Sequence, residues 1–408
     1  MRRAGDVMMR DRTVTPCFPR HYAEGPELRF LHTADWHLGR IFHARSLLED
    51  QAHVLDQFVE LVRDVRPDAV LIAGDVYDRA VPPPEAVALL DDVLARIVVD
   101  AGVPVVMIAG NHDSAQRLDF GARLLSARGL HVAGRASADA TCVTLHDAHG
   151  EVRIYALPYA EPAAVRDAFG VELSSHEAAL GAQLDAIRAS HPPGVRAVAV
   201  AHAFVVGGAV SESERPLSVG GSGAVAADLF HGFDFVALGH LHRPQTIGRR
   251  VHYAGSLLKY SLSESEHRKS VSLIEIGQNG EVRIEAIALQ PLRDLRIVNG
   301  ELAQLIAAGM ADARRDDYIH AVLTDTGALL DPMARLREAY PNTLAIERAI
   351  LSRSGTAGEA SRRVRETDTG NLFASFFREV ADIDLDSEQR RALDALLARM
   401  EASERESA

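Results

Sequence analysis

LRFLHTADWHLG, residues 28–39, holds the logic of this chain. Residues 28–33 read as a strand, and directly after it come Asp35, His37 and the turn-permitting Gly39. The same arrangement, a strand emptying into a short polar motif, recurs along the sequence. AVLIA (69–73) runs into Gly74-Asp75-Val76-Tyr77-Asp78, and VPVVMIA (103–109) into Gly110-Asn111-His112-Asp113. Residues 196–201 lead to His202, and residues 233–238 to Gly239-His240-Leu241-His242. Continuous apolar runs of this length are expected of strands buried on both faces. Between them, Leu48, Val54, Leu55, Phe58, Val59 and Val62 have helical spacing within 47–65, and residues 83–99 open on prolines as helices do. Further strands are expected at 152–157, 271–276 and 282–288, the last two joined as a hairpin through Gln278-Asn279-Gly280. Strands alternating with helices predict an α/β layered core. Sites in such sheets form at the carboxyl ends of the strands, so the five polar motifs are expected to converge.

Each motif by itself has an ordinary reading. An aspartate after a strand usually caps a helix, Asn111-His112-Asp113 suits a turn, and a lone His202 suits a satisfied core histidine. Together they form a donor set. Asp35, Asp75, Asn111, His37, His202, His240 and His242 offer oxygen and imidazole ligands for two divalent cations, and no thiolate joins them. Four histidines move the expectation from Mg²⁺ towards Mn²⁺, with iron or zinc as alternatives. A carboxylate between two such ions can bridge them, which is the arrangement used for phosphoryl displacement.

The whole chain sets bounds on this. It has 408 residues, enough for two or three units, and 47% apolar residues, enough for a sizeable core. No apolar run approaches the roughly 20 residues needed to cross a bilayer. Residues 1–27 lack an apolar stretch of signal type and are read as a disordered extension. Cys17 and Cys142, the latter placed before a strand, give neither a disulfide framework nor metal-type spacing, and fit a reducing cytoplasm. The net charge of −13 counts against a free-standing nucleic-acid binder, although bound metal or a partner can offset it.

DWHLG, GDVYD, GNHD, the lone histidine after a strand and GHLH, in this order, resemble the calcineurin-like metallophosphoesterase superfamily. Within it the chain is similar to the bacterial SbcD family of DNA double-strand-break repair nucleases. The similarity rests on His32-Thr33-Ala34-Asp35-Trp36-His37, Ser213-Glu214-Arg215 with Val219-Gly220-Gly221, Tyr253-Ala254-Gly255-Ser256, Tyr260-Ser261 and Leu372-Phe373 with Phe376. The resemblance implies an α/β fold class: a four-layer metallophosphoesterase sandwich with a small α+β capping domain and C-terminal helices. It implies that Asp35, His37 and His242 bind one metal and Asn111, His202 and His240 the other. Asp75 would bridge them, and His112 would be the catalytic histidine. Asp78 stands where archaeal and eukaryotic relatives have a second histidine; Asp78 and Asp113 are equally readable as residues that orient their neighbours.

The resemblance further implies a nuclease domain over 28–290, a cap over 291–350, a linker over 351–370 and a helical segment over 371–408. Leu372, Phe373, Phe376, Phe377 and Val380, with Leu393, Leu396 and Leu397, would dock on the coiled coil of an SbcC ATPase, in a heterotetramer with two copies of each chain. Its activities would be 3′→5′ double-strand exonuclease and single-strand or hairpin endonuclease, in DNA repair, recombination and replication. No glycine–lysine phosphate loop occurs here, so ATP would be used by the partner. The loop 207–223 is read either as part of a substrate groove or as a free surface loop. Two rival functions are a phosphoesterase for phosphoproteins or small phosphodiesters, and a non-catalytic scaffold.

Overall fold

The structure is a computed structural model that describes residues 27–214, 223–327, 329–349, 373–374, 377–378 and 385–407. The proposed N-terminal extension, the linker and, of the residues expected to meet a partner, Leu372, Phe376 and Val380 lie outside the described residues, as do Arg215 and Val219-Gly220-Gly221.

Two six-stranded sheets form the core of the first unit. The first combines β1 (Leu28–Thr33), β2 (Ala69–Ile72), β3 (Val105–Ile108), β4 (Leu130–Ala133), β11 (Ser270–Ile276) and β12 (Val282–Ala288), in the order β12-β11-β1-β2-β3-β4. β1 to β4 run parallel, while β11 pairs antiparallel with both β1 and β12. The second sheet combines β5 (Thr141–Asp147), β6 (Gly150–Leu157), β7 (Arg196–His202), β8 (Phe235–Gly239), β9 (Gln245–Ile247) and β10 (Val251–Tyr253), in the order β9-β10-β8-β7-β6-β5. Its central strands β6, β7, β8 and β10 are parallel.

The sheets meet face to face. Phe30, Leu71, Val106, Ile108 and Ile274 of the first share one buried cluster with Val143, Ile154, Val198, Val200, Phe235 and Ala237 of the second. Burying this much apolar surface at about 25 cal/mol per Å² is the main force holding the layers together. The alternate residues, such as Leu31, Val70 and Val105, are equally buried, which is why these strands read as unbroken apolar runs. Helix α1 (Leu48–Val65) buries Val54, Leu55, Phe58, Val59 and Val62, and Phe58 meets Trp36 edge-on with ring centroids 6.1 Å apart. Helix α2 (Pro84–Ala95) starts on proline and continues into a widened turn, Arg96–Asp100. On the second sheet, α3 (Pro162–Phe169) and α4 (His176–Ser190) supply Val165, Leu180, Leu184 and Ile187 to a cluster with Tyr155, Ala199, Leu238 and Tyr253.

Cys142 lies inside β5 rather than before a strand. This edge strand buries only alternate residues, Val143 and Leu145, so it shows no continuous apolar run. The hairpin β11–β12 closes where expected, with Gly277 N donating to Glu281 O at 2.9 Å and Gly280 in the left-handed region at φ 73°.

After β12 come β13 (Leu295–Gly300), α5 (Leu302–Ala311), β14 (Tyr318–Leu323), α6 (Pro332–Ala339) and β15 (Thr343–Arg348), with the sheet order β13-β14-β15. A last helix, α7, spans Ser387–Ser407. The chain divides into two compact units: residues up to Ile297 with Ala313–His320, and Val298–Asp312 with the chain from Ala321 onward. Among the described residues no helix is long and apolar enough to cross a membrane.

One buried ion pair links two strands within the second sheet. Arg196 at the start of β7 meets both oxygens of Asp147 at 2.5 and 2.8 Å, and the two side chains are 7% and 4% exposed. Burial raises the Asp147 carboxyl, but hydrogen bonds from Arg196 and His149 N prevail and hold it below its ordinary value of 3.8. A depressed carboxyl stabilises the fold above the unfolded value and loses that contribution as pH falls through the folded one. Asp147→Asn is therefore expected to lower unfolding stability by about 3 kcal/mol at pH 7, by denaturant titration. The difference from wild type should shrink below pH 3.8; an equal gap at low pH would refute the assignment.

Candidate metal centre

The polar motifs gather at the carboxyl ends of β1, β2, β3, β7 and β8 because parallel pairing carries these strands to the same side. Past β1 and β2 the backbone pairing continues without a strand: Asp35 N donates to Gly74 O at 3.0 Å, His37 N to Asp75 O at 3.0 Å and Leu38 N to Val76 O at 2.9 Å. Gln51 of α1 clamps the loop, its amide donating to Trp36 O and His37 O while its oxygen accepts from Gly39 N. Tyr260 donates to Trp36 O from the other side. Asp35, His37, Asp75 and His240 all have positive φ, at 54°, 47°, 49° and 104°. Non-glycine residues rarely adopt this conformation, and such strain persists where the surroundings enforce it, typically at sites.

Three groups of donors result, each with atoms within 4.8 Å of one another: Asp35, His37 and His242; His37, Asp75 and His112; and Asp75, His202 and His240. Asn111 Oδ1 joins the third, 2.9 Å from His202 Nε2 and 3.1 Å from His240 Nδ1. Asp75 Oδ2 lies between the groups, 3.7 Å from His37 Nε2, 3.5 Å from His202 Nε2 and 4.0 Å from His112 Nε2. Its other oxygen accepts from His112 N at 2.9 Å. Asp35 accepts from His240 N through both oxygens, at 2.9 and 3.1 Å. The structure thus brings together every ligand candidate named from the sequence, with His112 beside them.

The outer ring nitrogens are engaged by the scaffold. His202 Nδ1 meets Ala73 O at 2.9 Å, His112 Nδ1 meets Asp78 O at 2.8 Å, and His242 Nδ1 meets Ser213 Oγ at 2.7 Å. His37 Nδ1 lies 3.6 Å from Asp78 Oδ1, and that carboxylate is itself paired with Arg40 at 2.9 Å. Asp113 accepts from Val76 N, Tyr77 N and Gly110 N, stapling two of the polar loops together. Both aspartates orient neighbours. Gln51, Arg40, Glu264 and Lys269 were not found by sequence reasoning, and Ser213 and Tyr260 entered it only as marks of the resemblance, since none sits in a motif of metal-ligand type.

Burial dominates the electrostatics. It pushes Asp35 well above the ordinary carboxyl range, helped by the negative charge of Asp75. It would raise Asp75 too, but His202, His37 and His112 together hold that carboxyl well below its ordinary value. Burial, with Asp75 adding to it, raises Asp113 to about 7. The imidazoles of His37, His202 and His240 are lowered by burial, and His242 falls to about 3 for the same reason. With Nδ1 engaged by the scaffold, neutral His202 and His242 keep Nε2 free to face the centre. His37 Nε2 and His242 Nε2 face each other at 3.1 Å, close enough for a single ion to take both as ligands. Asn111 Nδ2 is buried without a partner, as expected where the amide is held by its oxygen. The residues present therefore fit divalent metal.

Comparison with known proteins agrees with this geometry. A family model described as calcineurin-like phosphoesterase matches residues 28–244. The D subunit of nuclease SbcCD from Staphylococcus saprophyticus subsp. saprophyticus is 32% identical over 372 residues, covering 91% of this chain and 98% of that one. The chain belongs to the SbcD family of calcineurin-like phosphoesterases. A second model, SbcD_C, described as type 5 capsule protein repressor C-terminal domain, matches residues 291–381. Solved structures include a Thermus thermophilus protein, 13% identical over 64% of this chain and 99% of its own, with a TM-score of 0.37. A dimetal phosphatase from Danio rerio is 16% identical over 65% and 100%, with a TM-score of 0.39. Neither likeness decides anything beyond the family already shown. SbcD membership and the clustered aspartates and histidines make the chain a phosphoester hydrolase of divalent-metal type.

The loops touch so closely that side chains cannot be added. A Cβ at Gly110 would overlap Asp75 N and Oδ1, and one at Gly239 would overlap Ala73 O. Gly110→Ala is expected to displace Asp75 and weaken metal binding by about 10- to 100-fold, read by calorimetric titration of Mn²⁺ into folded protein. Unchanged affinity would show that the loops yield without moving Asp75.

Proposed function

We propose that the chain is the nuclease subunit of a DNA-processing complex, hydrolysing phosphodiester bonds with two divalent ions. The observation that carries this reading is the place of Asp75 Oδ2, between two donor groups and beside His112. In this reading Asp35, His37 and His242 hold one ion, Asn111, His202 and His240 hold the other, and Asp75 bridges them. The mixture of oxygen and imidazole donors favours Mn²⁺. Two ions there, when bound, supply an activated water and positive charge for the attacking and leaving oxygens.

The chain's own residues supply the rest. Asp78 O fixes His112 Nδ1, which leaves Nε2 as the atom that meets the substrate. As imidazolium it gives its proton to the leaving oxygen. Near neutral pH an imidazole can recover that proton from solvent. Asp113 and Gln51 hold the loops in place while the charge on the phosphate changes.

Kinship with a chain of the SbcCD nuclease supports DNA as the substrate and an SbcC-type ATPase as the partner, with two copies of each. The activities would be 3′→5′ double-strand exonuclease and single-strand or hairpin endonuclease, serving repair, recombination and replication in the cytoplasm. Residues 28–290 would form the nuclease domain, 291–350 the cap and 351–370 the linker. Residues 371–408 would form the helical segment that docks on the partner.

The test is Mn²⁺-dependent degradation of a linear duplex by the purified chain, with and without SbcC and ATP. Asp75→Ala should abolish cleavage. His112→Ala should keep both ions while slowing cleavage by about 10²- to 10⁴-fold; loss of metal would make His112 a ligand. Hydrolysis of a small phosphodiester with none of DNA, from folded metal-loaded protein, would replace the nuclease reading with a small-substrate phosphoesterase. Deleting residues 371–408 should spare metal binding and remove capture of SbcC, measured by co-purification; undiminished capture would place the interface elsewhere.

A further inference from the structure

Two polar segments have no role in the mechanism above: Ser213-Glu214, part of a motif noted in the sequence, and residues 262–269, which follow the noted Tyr260-Ser261. They are far apart in the chain, and they meet behind His242. Glu264 is fully buried in a short turn, Leu262–Glu264. Its carboxylate accepts from Ser213 Oγ, from Ser261 Oγ at 3.2 Å and from Lys269 Nζ at 2.5 Å. Lys269 is 8% exposed and spends its other two donors on Ser256 Oγ and His242 O, both at 2.8 Å. The His242 backbone is held from the other side as well, its N–H donating to Glu214 Oε1 at 2.7 Å.

The direction of these hydrogen bonds is fixed. Lys269 can only donate, so Glu264 is the acceptor of their pair, and the carboxylate can only accept from the Ser213 hydroxyl. Ser213 Oγ then has lone pairs alone to offer His242 Nδ1 at 2.7 Å, so Nδ1 carries the hydrogen. His242 Nε2, directed at His37 Nε2 across 3.1 Å, is left with its lone pair. The chain of contacts runs from Lys269 through Glu264 and Ser213 to the ring of His242, and Glu264 Oε1 also reaches His242 Nδ1 directly at 3.4 Å. The other engaged outer nitrogens, His202 Nδ1 and His112 Nδ1, meet backbone carbonyls, which are neutral acceptors.

We infer that Ser213, Glu264 and Lys269 are positioning residues: they fix the tautomer and ring angle of His242 and feed negative charge to it through a hydroxyl, which sets the affinity of the Asp35–His37–His242 group for its ion. A carboxylate behind a ligating imidazole makes that imidazole a stronger donor. Burying an ion pair in this place is costly, and the cost is met only if every donor and acceptor is satisfied, as it is here. The inference rests on the reading of His242 as a ligand made under the proposed function.

The experiment is Mn²⁺ titration of the full chain by calorimetry, with electron paramagnetic resonance of the bound ions, on wild type, Ser213→Ala, Ser213→Thr and Glu264→Gln. Wild type is expected to bind two ions. Ser213→Ala and Glu264→Gln are expected to weaken one of them by about 10- to 100-fold and leave the other unchanged, with Ser213→Thr restoring the wild-type value. Two ions bound by Ser213→Ala as tightly as by wild type would overturn the relay while leaving the metal reading intact. Equal weakening of both ions with a fall in thermal midpoint would also overturn it, showing a merely structural pair. No metal bound by wild type would overturn the ligand reading itself. Should Glu264→Gln fail to fold, Ser213→Ala, which removes one oxygen from a half-buried loop, decides the question alone.

Discussion

Asp75 is a carboxylate with almost no access to water, its Oδ1 taking the His112 N–H and its Oδ2 facing the rings of His37, His202 and His112. Everything around it follows from the need to place charge in a dry position and still have it balanced. A buried charge without compensation is among the most costly features a fold can carry. Here the compensation comes from five separate strand ends, so the sheets must deliver those ends to one place within a few ångströms. That requirement explains why Gly74, Gly110 and Gly239 have no room for a side chain: their backbones pass against His202, Asp75 and Ala73. It also explains the positive φ of Asp35, His37, Asp75 and His240, a local strain that the apolar layers beneath can sustain.

The sandwich supplies that rigidity. The two sheets share a dry interlayer built from Phe30, Ile108, Val200, Phe235 and their neighbours. Close packing of this kind leaves little slack, so the end of β2 is fixed against the end of β7 as firmly as the cores of the strands themselves. The hydrogen bond from His202 to Ala73 O is the polar counterpart of the same registration, tying a candidate ligand of one sheet to the backbone of the other.

Asp78 illustrates how one position can serve through different atoms. Its carboxylate pairs with Arg40 and lies 3.6 Å from His37, while its backbone carbonyl holds His112. The side chain approaches one ring and the main chain seats another. The net charge of −13, which counted against a binder of nucleic acid, has part of its explanation here, since several of the acidic residues face inward and serve this centre.

The sequence by itself determined the strands that carry the polar motifs, the order of those motifs and the donor inventory. Each of these is a local property: an apolar run of strand length, a glycine where the chain must turn, an aspartate or histidine directly after it. Edge strand β5 was hidden because only alternate residues are buried, and its polar face looks like any surface segment. Tertiary structure alone decided the partners of the donors. Gln51 lies on an ordinary amphipathic helix, Ser213 in a polar loop, and Glu264 and Lys269 in a run of charged residues that reads as exposed. Their burial against His242 and the Trp36 loop arises from contacts between residues tens to hundreds of positions apart. A hydroxyl or carboxylate carries no mark in its own neighbourhood of which distant ring it will meet, because that is set by how two sheets stack.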